Sequence, residues 1–226
     1  MTTKIFPVPL GFDTCYLLQG DGVIVIDAGQ PKKGGAFRKG LRGAGVDPSD
    51  VGLILLTHAH WDHMGSAKDL KEITGAPLAV HAGEAAWVEN GNPPLPPGVT
   101  TWGRVFMSVH RLLMPLIDVP ATGVDRRLGD DVTSLEEFGI AGRVVPTPGH
   151  SPGSVSIVLD SGEAFVGDLA MNRLPLRLSP GLPIFADDLD EVVRSWRRLL
   201  EYDVKTIYPA HGAPFDADIM RTLLDA

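Results

Sequence analysis

Directly after the apolar run Val51–Leu56 the chain reads Thr57-His58-Ala59-His60-Trp61-Asp62-His63, which places three histidines and an aspartate within six residues. A short, continuously apolar run of this kind reads as a strand buried on both faces, and the residues after it read as the turn into a helix. Imidazole nitrogens and carboxylate oxygens are the side-chain ligands that suit zinc and related divalent metals. A lone histidine is ordinarily a satisfied surface or core residue. A packed core has no use for three of them in one strand-to-helix turn, and the chain has only seven histidines in all. His58 and His60 are two apart in an extended segment, so both can point to the same side. Asp62 and His63 fall where the helix starts. The turn reads as a metal site.

Three further segments carry the same kind of residue at strand ends: Pro146-Thr147-Pro148-Gly149-His150-Ser151-Pro152-Gly153, Phe165-Val166-Gly167-Asp168 and Pro209-Ala210-His211-Gly212. The order is His-x-His-x-Asp-His, a distant Gly-His-Ser-Pro-Gly, a strand-ending Gly-Asp and a late His-Gly. In that order the sequence resembles the metallo-β-lactamase-fold hydrolase superfamily, from Val23-Ile24-Val25-Ile26-Asp27-Ala28-Gly29 to the Pro-Ala-His-Gly near the end. The resemblance implies a four-layer αββα sandwich with a metal site at one edge, between the sheets. It implies two adjacent divalent ions, zinc first, with iron or manganese as alternatives. His58, His60 and His150 would hold one ion and Asp62, His63 and His211 the other, with Asp168 bridging them. Asp62 is in addition the side chain singled out as catalytic. Two ions about 3.5–4 Å apart can share a hydroxide and clamp a substrate oxygen, which implies hydrolysis of an ester, thioester or lactone carbonyl. The readings held beside this one are a phosphodiesterase, a mononuclear-iron persulfide or thiol dioxygenase, and a metal-binding module without catalysis.

Departures from the family pattern narrow the branch. Asp168 stands where the zinc β-lactamases with a cysteine ligand would need Cys, and the single cysteine, Cys15, lies in the buried-looking strand Thr14–Leu18. His60 stands where the flavodiiron branch has Glu. A glutathione-binding extension of the glyoxalase II type is not expected, because the sequence runs only fifteen residues past His211. No basic substrate-clamping insertion of the tRNA-processing branch is visible. The compact glyoxalase-II-like and lactonase-like hydrolases remain. The lactonases place a tyrosine after the bridging aspartate, and between Asp168 and Trp196 there is none. Arg173, Arg177 or Phe185 would have to serve there.

Metal-bound imidazoles usually donate their other N–H to a carboxylate or carbonyl. Asp27, closing an apolar strand, is the candidate to orient a histidine of the turn, and Thr57 could bond across it. Ser151 and Thr147 are read as stabilising the loop around His150, with Asp13 and Tyr208 as weaker candidates. His81 could face substrate, and His110 is read as a structural residue of its helix.

One domain over 1–226 is expected, with an insert at about 92–122 that acts as a lid or an oligomer contact. Strands are expected at Lys4–Val8, Thr14–Gln19, Val23–Ile26, Val51–Leu56, Leu78–His81, Phe138–Pro146, Val155–Leu159, Glu163–Val166 and Val204–Tyr208. Helices are expected at Gly34–Ala44, Gly65–Thr74, Ala82–Val88, Trp102–Leu116, Asp187–Glu201 and Ala217–Leu224. The second half should begin near Thr122. Trp102–Leu116 is apolar on more than one face, and such a helix is buried or covers something. Trp102, Phe106, Met107, Met114 and Phe185 are expected to line or cover a largely apolar cleft beside the metals. Arg104, Arg111, Arg173 and Arg177 are the candidates to meet an anionic group. A net charge of −8 disfavours general nucleic-acid binding. No apolar run spans a bilayer and the N-terminus lacks the apolar region of a signal peptide. The expected partners are therefore a small-molecule substrate and a second copy through the 102–117 helix, with no nucleic acid, no membrane and a cytoplasmic location.

Overall fold

The computed structural model describes residues 2–172, 175 and 177–225. Its first sheet runs β1 (Lys4–Pro9), β2 (Thr14–Gln19), β3 (Val23–Ile26), β4 (Val51–Leu55), β5 (Leu78–His81) and β6 (Arg126–Leu128), each strand beside the next in sequence order. β1 to β3 are antiparallel, and β3 to β6 are parallel. The parallel strands need crossovers, which helices supply. These are α1 (Gly34–Ala44), then α2 (Trp61–Met64) with α3 (Ala67–Thr74), and then α4 (Ala85–Asn90) with α5 (Thr101–Leu113). The second sheet lies in the order β12 (Phe215–Asp216), β11 (Thr206–Pro209), β10 (Glu163–Gly167), β9 (Val155–Leu159), β8 (Gly142–Pro146) and β7 (Thr133–Ser134). α6 (Leu189–Leu200) crosses between the parallel strands β10 and β11, and α7 (Asp218–Leu224) follows β12.

Three apolar layers hold the four-layer αββα sandwich together. Phe37, Leu41 and Leu70 of α1 and α3 pack on the outer face of the first sheet against Val25, Ile54 and Val80. Trp196, Leu199 and Met220 of α6 and α7 pack on the outer face of the second against Val145, Val158 and Ile207. Between the sheets, Leu18, Ile24, Ile26, Leu53 and Leu55 meet Val144, Ile157 and Phe165. Because β4 is covered on both sides, it reads as an unbroken apolar run. Tyr16 ties the sheets directly: its hydroxyl donates to the Pro209 carbonyl at 2.9 Å, and its ring meets Phe165 and Tyr208. Tyr208 is thus a half-buried residue packed against this core.

Several expectations need correction. The second half does not begin near Thr122, because β6 pairs with β5 and closes the first sheet. β6, β7 and β12 carry no strand signal in the sequence, being two or three residues long and, in Arg126-Arg127-Leu128, charged. The helix expected over Gly65–Thr74 begins earlier and is broken. The Ser66 hydroxyl donates to the Gln30 carbonyl at 2.6 Å and accepts from the Lys33 amide at 2.8 Å. That bonding ties Ser66 to the loop before α1 and separates α2 from α3. Glu136–Phe138 is a 3-10 turn, not the start of a strand.

Candidate metal centre

All seven residues expected at the metal site follow strand ends on the same edge of the sandwich. His58 and His60 extend β4, Asp62 and His63 open α2, and His150 follows β8. Asp168 follows β10 and His211 follows β11. Two glycines make the approach of the strand ends close enough. Gly167 has φ +53°, and a Cβ there would stand 2.4 Å from Thr57 Oγ1. Gly149 has φ +128°, and a Cβ there would stand 2.4 Å from the backbone nitrogen of Val192. Only glycine tolerates both the angle and the contact.

The seven side chains converge. The ligand atoms of His58, His60 and His150 lie within 4.8 Å of one another, as do those of Asp62, His63 and His211, and those of His58, His63 and Asp168. His60 Nδ1 faces His150 Nε2 at 2.9 Å. Asp168 reaches both sides, with Oδ2 3.6 Å from His150 Nε2 and Oδ1 3.2 Å from His211 Nε2 and 3.4 Å from His63 Nε2. Asp62 Oδ2 is 3.5 Å from His211 Nε2. His58 Nε2, His63 Nε2 and Asp168 Oδ1 are buried and have no hydrogen-bond partner, the His63–Asp168 approach lacking the angle for one. Buried polar atoms are almost always satisfied. Three orphans pointing at one volume, all nitrogen or carboxylate oxygen, fit divalent cations.

The outward ring nitrogens are held. His150 Nδ1 donates to the Phe185 carbonyl at 2.8 Å and His211 Nδ1 to the Phe12 carbonyl at 3.2 Å. His63 Nδ1 meets Asp27 Oδ2 at 3.0 Å. Asp27 also accepts from the Thr57 amide at 2.8 Å and from its hydroxyl, as the sequence reading anticipated for both residues. Asp27 sits at φ +62°, a left-handed conformation that aspartate tolerates better than bulkier residues. This turn aims its carboxylate back beneath His63.

Protonation divides the cluster. Burial lowers His58, aided by His63, His60 and His150, and brings His60 down to about 3, with His150 adding to the effect. Burial also opposes charge on His63 and His211. It is outweighed by Asp27 and Asp168 around the first, and by Asp168 and Asp62 around the second, so both lie well above the ordinary imidazole value. Against its burial, Asp168 is held well below the carboxylate range by His211 and His63, and Asp62 is lowered against its burial too, chiefly by its hydrogen bond with His211. Without cations, protons on two histidines balance the carboxylates; cations would displace those protons. Asp13, beneath the cluster, is raised to about 7 by burial, and its Oδ1 has no partner. Cys15 is buried beside it and donates weakly to its other oxygen at 3.7 Å.

One supporting residue escaped the sequence reading. Glu84 is fully buried and accepts from the Ala59 amide at 2.6 Å, the Gly153 amide at 2.8 Å and the Ser151 hydroxyl at 2.5 Å. It staples the His58–His60 segment to the His150 loop. Its one sequence signal is an acid amid the small and apolar residues Ala82–Val88. Ser151 and Thr147 serve the loop as expected, Thr147 through Ser156 at 2.8 Å.

The cluster opens into a cavity of about 300 Å3. Its walls include Phe12, Trp61, Leu95, Phe106, Met107, His110, Leu113, Ile117 and Phe185. Phe106, Met107 and Phe185 line it as expected; Trp102 and Met114 do not. His110, read as merely structural, lines the cavity, its ring against Trp61 at 5.3 Å and Phe106 at 6.2 Å. Burial lowers its pKa. His81, read as a candidate to face substrate, instead meets Asp130 at 3.3 Å and accepts from the Gly83 amide. Arg104 and Arg111 are exposed. Arg177 is spent on the Ser179 and Leu182 carbonyls, and Arg173 lies outside the described residues.

Comparison with known proteins agrees with this geometry. Among curated relatives, a "Probable metallo-hydrolase YflN" of Bacillus subtilis is 23% identical over 214 residues, 88% of this chain and 78% of its own. The "Metallo-beta-lactamase fold-containing protein ST1585" of Sulfurisphaera tokodaii is 28% identical over 92% of this chain and 75% of its own. A solved metallo-beta-lactamase family protein of Thermus thermophilus superposes with a TM-score of 0.66 at 22% identity, covering 99% of this chain and 78% of that one. The solved B3 metallo-beta-lactamase BLEG-1 gives 0.70 at 22% identity, with full coverage of both chains. At these identities the structures speak for the fold. The family model described as "Metallo-beta-lactamase superfamily" matches residues 8–211, and with that match the chain belongs to the metallo-β-lactamase superfamily.

Proposed function

We propose that this chain is a metal-dependent hydrolase holding two divalent ions, one on His58, His60 and His150, the other on Asp62, His63 and His211, with Asp168 between. The observation that carries this reading is the set of unpartnered buried atoms on His58, His63 and Asp168, in a cluster whose Asp168, with His60, Asp62, His150 and His211, lines an apolar cavity. When bound, the ions supply an activated water and a Lewis acid for the substrate oxygen. The chain's own residues do the rest. Asp27, Phe185 and Phe12 fix the rings of His63, His150 and His211 through the far nitrogen, which sets ligand direction. Asp62, a partly exposed carboxylate on the cavity wall, is kept ionised and so can accept a hydrogen bond from the attacking water. The apolar wall of Leu95, Phe106, Met107, Leu113, Ile117 and Phe185 excludes water and takes the substrate's apolar part.

The substrate is accordingly an ester, thioester or lactone with an acyl or aromatic moiety. Among the described residues no arginine or lysine lines the cavity, which disfavours a phosphodiester. The test is elemental analysis of the purified protein combined with a panel of ester, lactone, thioester and phosphodiester substrates. Two zinc, iron or manganese ions per chain and turnover of an apolar carboxylic ester are expected. One iron per chain with oxygen consumption on a persulfide would instead make the chain a dioxygenase.

A further inference from the structure

α5 has three faces. Gly103 and Met107 are buried against the domain, with Phe106 and His110 half-buried beside them. Thr101, Arg104, Ser108 and Arg111 form a polar edge. The third face is apolar and in water: Val105 and Val109 are exposed, Leu112 is 78% exposed, and Leu116, in the 3-10 turn that extends the helix, is 81% exposed. A large apolar side chain left in water forfeits about 1.5–3 kcal/mol of burial. A contiguous patch of such side chains marks an interaction site.

The spacing of this ridge and the charges flanking it point to a second copy of the chain as its cover. Residues 105, 109, 112 and 116 are spaced by four, three and four, so the ridge reads the same from either end. Such a spacing suits a two-fold, antiparallel helix pair, in which one surface meets its own copy. The charges agree. From Thr101 to Leu116 there are two arginines and no acid. Asp118, just past the ridge, is exposed and makes no ion pair among the described residues. In the register that sets Val105 against Leu116 of the partner subunit and Val109 against Leu112 of the partner subunit, Arg104 comes level with Ile117 of the partner subunit, one residue from Asp118 of the partner subunit. Among the described residues the Arg104 side chain otherwise bonds to Thr101 Oγ1 alone, within its own helix, at 3.3 Å.

We infer that the chain forms a two-fold dimer through an antiparallel α5–α5 contact on Val105, Val109, Leu112 and Leu116, with Arg104–Asp118 pairs at its two ends. The ridge spans about 17 Å at 1.5 Å per residue. That is short for a standard interface of about 800 Å2 per partner, so association is concentration-dependent. Leu113 lies beside the ridge and also lines the cavity, so pairing stiffens the cavity wall.

Sedimentation velocity from low micromolar to sub-millimolar concentration tests this without reference to catalysis. A monomer–dimer equilibrium is expected. Leu112→Glu should weaken it by about a hundredfold, because it buries an unpaired charge, with far-UV circular dichroism unchanged. Arg104→Asp and Asp118→Arg should each weaken the dimer, and the double variant should restore it. That rescue is a result that a general loss of surface quality would not produce. A monomer at every concentration, or a dimer indifferent to Leu112→Glu, would overturn the contact. Charge variants without mutual rescue would overturn the antiparallel register. Flotation of a monomeric chain with lipid vesicles, abolished by Leu112→Glu, would assign the ridge to a membrane surface instead.

Discussion

The floor and the wall of the cavity are built on opposite principles. The floor is polar, fully buried and held from several directions. Asp27 grips Thr57 and His63, Glu84 grips Ala59, Ser151 and Gly153, and backbone carbonyls take the outer nitrogens of His150 and His211. Much of the wall is one helix, α5, held by apolar contacts around Met107, Phe106 and Phe185, with its outer ridge in water. A site that places ligands needs rigidity. A wall that accepts an apolar group needs only shape and volume, which methionine and leucine supply adaptably. The comparison teaches that chemistry and selectivity are separable here, and substitutions should show it.

The largest effect is expected at the floor. Asp168→Ala removes the carboxylate that approaches His63, His150 and His211 together. Turnover should fall on the order of a thousandfold, with ions lost on dialysis and the sandwich intact. Wild-type turnover in this variant would end the bridging assignment.

Next is the support beneath. Asp27→Asn keeps a residue that tolerates the left-handed turn but weakens the acceptor facing His63. Metal affinity should drop about ten- to a hundredfold, measured by competition with a chromophoric chelator. Unchanged affinity would show that His63 needs no orienting partner.

The wall should behave differently. Phe106→Ala and Met107→Ala should lower kcat/KM for long-chain esters by about tenfold while leaving short-chain esters and metal content alone. An equal loss on both ester classes would mean that α5 shapes the floor as well, and the separation would fail.

The smallest effect is one of pH on the metal-free protein. His58 and His60 have folded pKa values below the unfolded value of 6.5, so the unfolded chain takes up protons that they refuse, and stability falls as pH drops through 6.5. His63 and His211 have folded values above it; their contribution is complete below 6.5 and is lost as pH rises through the folded values. Asp13, raised to about 7, offsets part of the acid-side loss. Tm of the metal-free protein should therefore peak near pH 6.5 and shift by a few degrees on either side. Saturating metal should remove the alkaline decline, since bound ligands carry no proton. A metal-free Tm that rises steadily to pH 8 would contradict the split protonation.

What the sequence by itself determined is local. The run Val51–Leu56 and the following His-Ala-His-Trp-Asp-His show their roles within a dozen residues, because side-chain direction along a strand and into a helix start follows from backbone geometry alone. The order of the later motifs pointed, through the resemblance, to His150, Asp168 and His211, and the apolar character of α5 on more than one face was visible as well. Tertiary structure decided everything that depends on residues distant in sequence. Glu84 acquires its role only when Ala59 and Gly153 fold against it, and His110 enters the cavity only because α5 lies across Trp61. β6 joins the first sheet through its pairing with β5 despite its charged sequence. His58, His60, His63 and His211 share one ordinary pKa and yet acquire different charges, because burial and carboxylates reach them unequally. Which face of α5 lines the cavity and which stays in water is likewise set by what the helix packs on, since an apolar pattern records the tendency to be covered and not the identity of the cover.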